Sequence, residues 1–361
     1  MEYRGGIKDG RMHGQGTLTY ENGDVYEGTF VDGKRHGNGK YLYKNGAVYE
    51  GQFVDDSIQG EGVCRFENGN VYRGAYKDGI IGGGYGELIY ADGDRYEGQW
   101  MGGKMNGKGT YLYANGDKYV GEWKNDRRDG RGVATYVDDD GKVVETYDGE
   151  WVDGQMEGHG TYTYSDGGTY VGDFVNSQMQ GNGRYVFANG NVYEGSWHED
   201  KKDGRGLLKY SNGEQYDGEW KNDMADGQGT IVYASGDTYD GQWSVGKKHG
   251  QGRLTYENGD VYVGEWREDE ACGRGTLTYT GTGNVYEGEW YRSRRHGKGT
   301  LRVAEDGSRY EGEWYENRRH GVGTIVNASG DVLRAKFERG KLGAVIDYSF
   351  GKGSKWNSPS F

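Results

Sequence analysis

A tyrosine returns at a nearly constant interval along this chain: Tyr3, Tyr26, Tyr49, Tyr72, Tyr96, Tyr119, Tyr147, Tyr170, Tyr193, Tyr216, Tyr239, Tyr262, Tyr286 and Tyr310, with Leu333 as an altered last member. Most steps are 23 residues; those reaching Tyr96, Tyr286 and Tyr310 are 24, and the one reaching Tyr147 is 28. Repetition at such a period constrains the fold more than any local propensity, because each unit can bury its apolar side chains only against its neighbours. The extra residues fall in loops, at 82–84, 280–283 and in the acidic VDDDGKVVET of residues 137–146. Residues 1–332 therefore read as fourteen repeats with one insertion at 137–146, and residues 333–361 as an altered last repeat and C-terminal cap. By interrupting the register of turns, the insertion predicts a bend or loose point.

Within a unit the period is two. Tyr96, Gly98 and Trp100 alternate with Glu97 and Gln99, and Gly109, Tyr111 and Tyr113 with Thr110 and Leu112, which is the pattern of strands. A Gly-rich segment separates the two runs. After the second run comes Asn-Gly, as at Asn22-Gly23, Asn115-Gly116 and Asn212-Gly213, the chemistry of a tight reversal. The fold class is all-β: an elongated single-sheet antiparallel array of hairpins. With two strands per unit at about 4.8 Å spacing, fifteen units reach roughly 140 Å.

A single sheet has no second layer to cover its apolar face. That explains 72 glycines beside 33 tyrosines and one proline: the large rings of one face must lie over strand glycines such as Gly28, Gly98 and Gly121, while Glu, Gln, Lys and Thr occupy the other. The glycines thus have a packing role. Gly107-Lys108-Gly109 and Gly297-Lys298-Gly299 lack the rest of a phosphate-binding loop and recur with the repeat.

The motif Y-E-G-x-W, then G-x-G-T-x-x-Y, then N-G, quoted as YEGTFVDGKRHGNGKYLYKNGAV from Tyr26 and YEGEWYRSRRHGKGTLRVAEDGS from Tyr286, resembles the MORN repeat (membrane occupation and recognition nexus). The resemblance covers about residues 3–340. It implies a non-enzymatic interaction array of the kind found in ciliary radial spoke heads, protozoan cytoskeletal scaffolds and membrane-junction proteins. Such arrays also flank the catalytic domains of lipid kinases and a lysine methyltransferase, for which this chain leaves no room.

No apolar run reaches the roughly 18 residues needed to cross a bilayer, and MEYRGGIKDG has the features of neither a signal peptide nor a transit sequence, so a cytosolic protein is expected. Cys64 and Cys272 lie nine repeats apart, beyond disulfide reach. The net charge of −13 disfavours nucleic acid as a partner. Basic residues nevertheless recur at one offset: Lys34-Arg35, Arg127-Arg128, Lys201-Lys202, Lys247-Lys248, Arg294-Arg295 and Arg318-Arg319. Placed in the loop of each hairpin, they predict a row along one edge, either a solubilising rim or an anionic docking strip for acidic lipid or protein. His13, His36, His249, His296 and His320 share a neighbouring offset. At about 10 Å spacing, adjacent members cannot share a metal without a second molecule. No paired carboxylates, nucleophile or cofactor motif stand out, so no catalytic, cofactor or metal residues are assigned.

An interaction protein remains. Its expected protein-binding face carries Tyr96, Trp100, Tyr119, Trp123, Trp151, Trp197, Trp220, Trp243, Trp266, Trp290 and Trp314, because aromatic residues anchor interfaces. Phe337, Tyr348, Phe350 and Trp356 suggest an assembly surface at the C-terminal end, toward a partner or a second copy. The resemblance favours a cytoskeletal scaffold, ciliary or flagellar (axonemal, radial spoke-like) or of a protozoan cortex; the alternative is a peripheral membrane module that binds phosphoinositides through the basic row. Solution scattering on the full chain is expected to return a radius of gyration well above the ~21 Å of a compact chain of this size. A value near that figure refutes the hairpin array.

Overall fold

A computed structural model describes residues 1–355. The expected site residue Trp356, and Phe361 with it, lie outside the described residues. Thirty β-strands and no helix occur among those described, and each hairpin is antiparallel. The chain divides into two compact units, residues 1–180 and 181–361. Both use one building plan.

In the first unit, Val25–Val31 pairs with Lys34–Leu42, and Arg95–Met101 with Lys104–Leu112. In the second, Asn284–Tyr291 pairs with Arg294–Arg302, and Arg309–Tyr315 with Arg318–Val326. The tight reversal is not where the sequence placed it. Val31 faces Lys34 across Asp32-Gly33, whose φ angles of 49° and 90° are both positive, as a type I′ turn requires. Asn125-Asp126, Glu316-Asn317 and even Val245-Gly246 adopt the same two-residue turn. Asn22-Gly23 instead belongs to the longer link between repeats, where the Gly23 N–H donates to Tyr20 O at 3.0 Å and the Tyr20 N–H to Asp24 O at 2.9 Å. Only its glycine has positive φ.

The segment expected as the hairpin loop is therefore mostly strand. Its surplus residues form a bulge: Gly28 faces Gly39 but Phe30 faces Arg35, two residues against four. A side chain from the first strand fills the gap. Gln99 Oε1 accepts the Lys108 N–H at 2.8 Å, and Glu265 Oε1 the Arg274 N–H at 2.9 Å.

The core of each unit is a file of tyrosine rings laid across paired glycines. Gly98 faces Gly109, and a Cβ at Gly109 would collide with the Tyr96 ring. The Tyr96 hydroxyl donates to Gln99 O at 3.1 Å, so burial leaves it satisfied. Each ring meets two others edge-on: Tyr96 lies 5.2 Å from Trp100 and 5.4 Å from Trp123, and in the second unit Tyr286 lies 5.4 Å from Trp290 and 5.1 Å from Trp314. Such pairs contribute about 0.5–1.5 kcal/mol beyond their burial. The indole N–H of Trp314 reaches back to Gly299 O at 3.0 Å, and that of Trp100 to Gly86 O at 3.1 Å, tying repeat to repeat.

The acidic insertion is continuous with the ladder. It lengthens a hairpin, because Thr135, Tyr136 and Val137 pair with Thr146, Glu145 and Val143, and Asp138 closes the tip by accepting the Lys142 N–H at 2.9 Å. The last repeat also forms a hairpin, Val332–Glu338 with Lys341–Ser349. There Leu333 stands where a ring would be and Ala335, fully buried, where its glycine would be.

That exchange supplies a test. Gly109→Ala is expected to lower the melting temperature, an overpacking effect of about 1–3 kcal/mol, and Tyr96→Leu to recover part of the loss when combined with it. Independent, additive effects contradict the ring-over-glycine core. Burial also raises the pKa of the core tyrosines, with Tyr26 and Tyr49 pushed up to about 12, against about 10 in an unfolded chain. A raised folded-state value means that these hydroxyls contribute stability below pH 10 which is lost as pH climbs toward 12. Alkaline titration followed by ultraviolet absorbance and circular dichroism is expected to show most tyrosinate forming together with loss of β signal, not before it.

Candidate interaction faces

Alternation places successive residues of a strand on opposite faces, and this divides the expected sites. The aromatic row is closed: Tyr96 and Tyr119 are fully buried, and none of Trp100, Trp123, Trp151, Trp197, Trp220, Trp243, Trp266, Trp290 and Trp314 is more than 8% exposed. The expectation of an open aromatic docking face is corrected at these positions. A one-layer sheet must use its rings on itself, and they are the core.

The basic row divides in the same way. Lys34, Arg127, Lys201, Lys247, Arg294 and Arg318 are exposed, while the residue after each turns onto the ring face. Arg128 stacks 4.8 Å from the Trp151 ring, Lys202 5.2 Å from Trp220, Lys248 5.2 Å from Trp266, Arg295 4.6 Å from Trp314, Arg319 4.8 Å from Tyr310 and Arg35 5.3 Å from Phe53. These six cap the aromatic file through cation–π contacts. Desolvation there lowers the Lys248 ammonium from its ordinary value. Of the outer six, Arg294 pairs with Glu316 at 3.0 Å, Arg127 with Asp153 at 3.4 Å and Lys247 with Glu268. A single cationic strip is thus replaced by a half-buried inner row and a partly neutralised outer one.

The histidines lie at the bulge. His13 and His36 direct Nδ1 toward Asp32 and Asp55 at 3.8 and 3.9 Å, and His296 lies between the Tyr291 and Tyr315 rings. No group of three metal-ligating side chains occurs among the described residues. Both cysteines are free.

At the C-terminal end, Phe337 is buried and meets the Tyr310 ring edge-on at 5.2 Å, so it completes the core and offers no assembly surface. Tyr348 and Phe350 are exposed and touch each other at 4.6 Å.

Sequence reasoning missed the clamps between repeats. Asp94 Oδ1 accepts the Ala114 N–H at 2.8 Å while its other oxygen takes the Tyr111 hydroxyl at 2.6 Å; Asp24 does the same with Lys44 and Tyr41. These bonds hold the Asp24 carboxyl below its ordinary range, the Lys44 N–H contributing most. The available signal was an Asp or Asn two residues before the opening tyrosine, as at Asp24, Asn70, Asp94, Asp117 and Asp260.

What remains open is the polar face. In the second unit it carries a groove of about 1110 Å³ floored by the glycine pairs Gly275–Gly288 and Gly299–Gly312 and bordered by exposed charged side chains. The first unit has shallower counterparts over Gly16, Gly28 and Gly39 and over Gly109 and Gly121. Glycine leaves backbone accessible there, and nothing closes the grooves into a reaction chamber.

Among solved structures, the chain resembles the TCP domain of SAS-4 (dCPAP) of Drosophila melanogaster, in complex with a proline-rich motif of Ana2, at 13% identity over 51% of this chain and 85% of that one, TM-score 0.26. It also resembles the TCP10 domain of Danio rerio CPAP in complex with a STIL peptide, at 13% identity over 76% and 92%, TM-score 0.24. A streptogramin B lyase matches at 11% identity over 96% and 97%, TM-score 0.13. Overlaps this low carry no argument about this chain. No curated protein matches it. The family comparison is of another order: the MORN repeat profile matches fourteen successive segments, from residues 3–25 and 26–48 through to 286–302 and 310–332. With the hairpin and the ring across paired glycines recurring along those segments, the chain belongs to the MORN repeat family.

Proposed function

We propose that this protein is a non-enzymatic scaffold of a cytoskeletal assembly, ciliary or flagellar in the manner of a radial spoke component, or cortical in a protozoan. The carrying observation is the division of labour between the faces. One face is consumed by the core, while the other keeps exposed charged side chains along open, glycine-floored grooves in each unit. Such a surface binds by area, which is how protein partners are held. Family membership over nearly the whole chain supports the same reading.

The membrane alternative depended on twelve cations acting together. Six cap rings and three of the others are ion-paired, which leaves Lys34, Lys201 and Arg318 without an ion pair among the described residues. Three isolated charges, each beside acidic turn residues, make a weak lipid anchor. Proximity labelling from the tagged protein in its own cell is expected to enrich axonemal or cortical cytoskeletal proteins. Flotation with phosphoinositide vesicles at 0.15 M salt is expected to leave the protein unbound. Strong flotation abolished by Arg294→Glu with Arg318→Glu, together with a membrane-dominated labelling set, replaces the scaffold by the membrane module.

A further inference from the structure

Two arginines oppose each other in the floor of the second unit's groove. Arg302, the last residue of its strand, faces Arg309, the first of the next. Like charges directly opposite across a ladder are destabilising. At every other repeat junction the equivalent pair holds at most one cation, for example Thr278 with Val285 and Val326 with Val332. Some cations on this face are ion-paired, as Lys40 is with Glu50 at 2.9 Å, Arg184 with Glu194 at 2.9 Å, and Arg95 with Glu87 at 2.6 Å and Glu97 at 3.2 Å; others, such as Arg274 and Lys298 in this groove, instead stand opposite a glutamate across the ladder, Glu289 and Glu313. Arg302 and Arg309 are exposed and make no ion pair among the described residues, and neither does Arg334, which lines the same groove.

Arg334 stands two strands beyond Arg309, on Val332–Glu338, and two residues along from the position facing it, so about 12 Å separates their backbones. Between them on the same face lie half-buried Val326 and Val332, facing each other. We infer that this part of the groove receives an acidic segment of a partner protein, with carboxylates about 9–12 Å apart, a spread that the long arginine side chains span, and an apolar side chain between them. A carboxylate accepting from Arg302 and Arg309 together removes their repulsion, and a second engages Arg334. The groove also holds exposed Glu287, Glu289, Glu311 and Glu313. Four carboxylates oppose the uniform negative field of a bilayer or a nucleic acid, whereas a peptide can place its acids one at a time. The inference names partner chemistry for the scaffold proposed above and rests on that reading.

The probe is a fluorescent twelve-residue peptide repeating Glu-Pro-Val, whose polyproline II turn sets successive acids about 9 Å apart. Its counterpart repeating Lys-Pro-Val and phosphatidylserine vesicles are run beside it, all with the full chain. The acidic peptide is expected to bind, weakening with salt, and the basic one not. Arg302→Gln with Arg309→Gln is expected to cut that affinity at least tenfold, and Arg302→Gln alone to raise the melting temperature, since it relieves the opposed pair. A double variant that binds as the parent does, a parent that binds no acidic peptide, vesicle binding without peptide binding, or a lowered melting temperature for Arg302→Gln each overturns the inference. Loss of peptide binding with an unchanged proximity-labelling set removes the arginines from partner choice and leaves the scaffold standing. Retained peptide binding with no cytoskeletal protein labelled does the reverse.

Discussion

A tyrosine ring lying flat over two facing glycines is the contact on which everything else in this protein depends. An isolated sheet face cannot be covered by a second layer, so apolar area must be buried within the sheet. Only glycine lets a phenol ring approach the backbone that closely: a Cβ at Gly132 would overlap Tyr119, and one at Gly206 would overlap Tyr193. The tyrosine hydroxyl then reaches a carbonyl three residues on, as from Tyr147 to Glu150 at 3.0 Å, and the ring is held by its neighbours' edges. Repetition follows from this contact, since each ring needs an aromatic side chain from the next repeat.

The same need decides which residues are left for other molecules. Indoles that look like interface anchors are the second wall of most tyrosine slots, and the inner cation of four basic pairs lies over one. Turn residues are engaged as well. Asp126 and Asp223 hold the N–H groups of Met105 and Lys202 in the preceding hairpin, so even the charged rims brace the ladder. Exposed groups without such duties collect on the polar face, above the glycine rows.

Much of this was legible without coordinates. Strand period, hairpin order, the pairing of rings with glycines and the two unlike faces follow from alternation, which is local and strict. Three features were not. Both Asn-Gly and Asp-Gly suit a reversal, and composition cannot tell which closes two residues and which closes a longer link; the ladder register of Val31 with Lys34 does. The two-residue turn at Asp32-Gly33 sets Arg35 opposite Phe30 and so on the ring face, although the sequence placed it in an open loop. The insertion at 137–146 looked like an interruption, yet its residues pair with one another and simply extend the strands.

By itself, then, the sequence determined the class of fold, the family and the residues able to form the core, because a period of 23 with tyrosine, glycine and tryptophan at set offsets has one packing solution. Tertiary structure decided availability. Whether Trp314, Arg295 or Arg302 can meet a partner depends on what the neighbouring repeat places against it. Trp314 and Arg295 are covered by each other and by Tyr286, whereas Arg302 faces Val285 on one side and Arg309 on the other, neither of which can satisfy its charge.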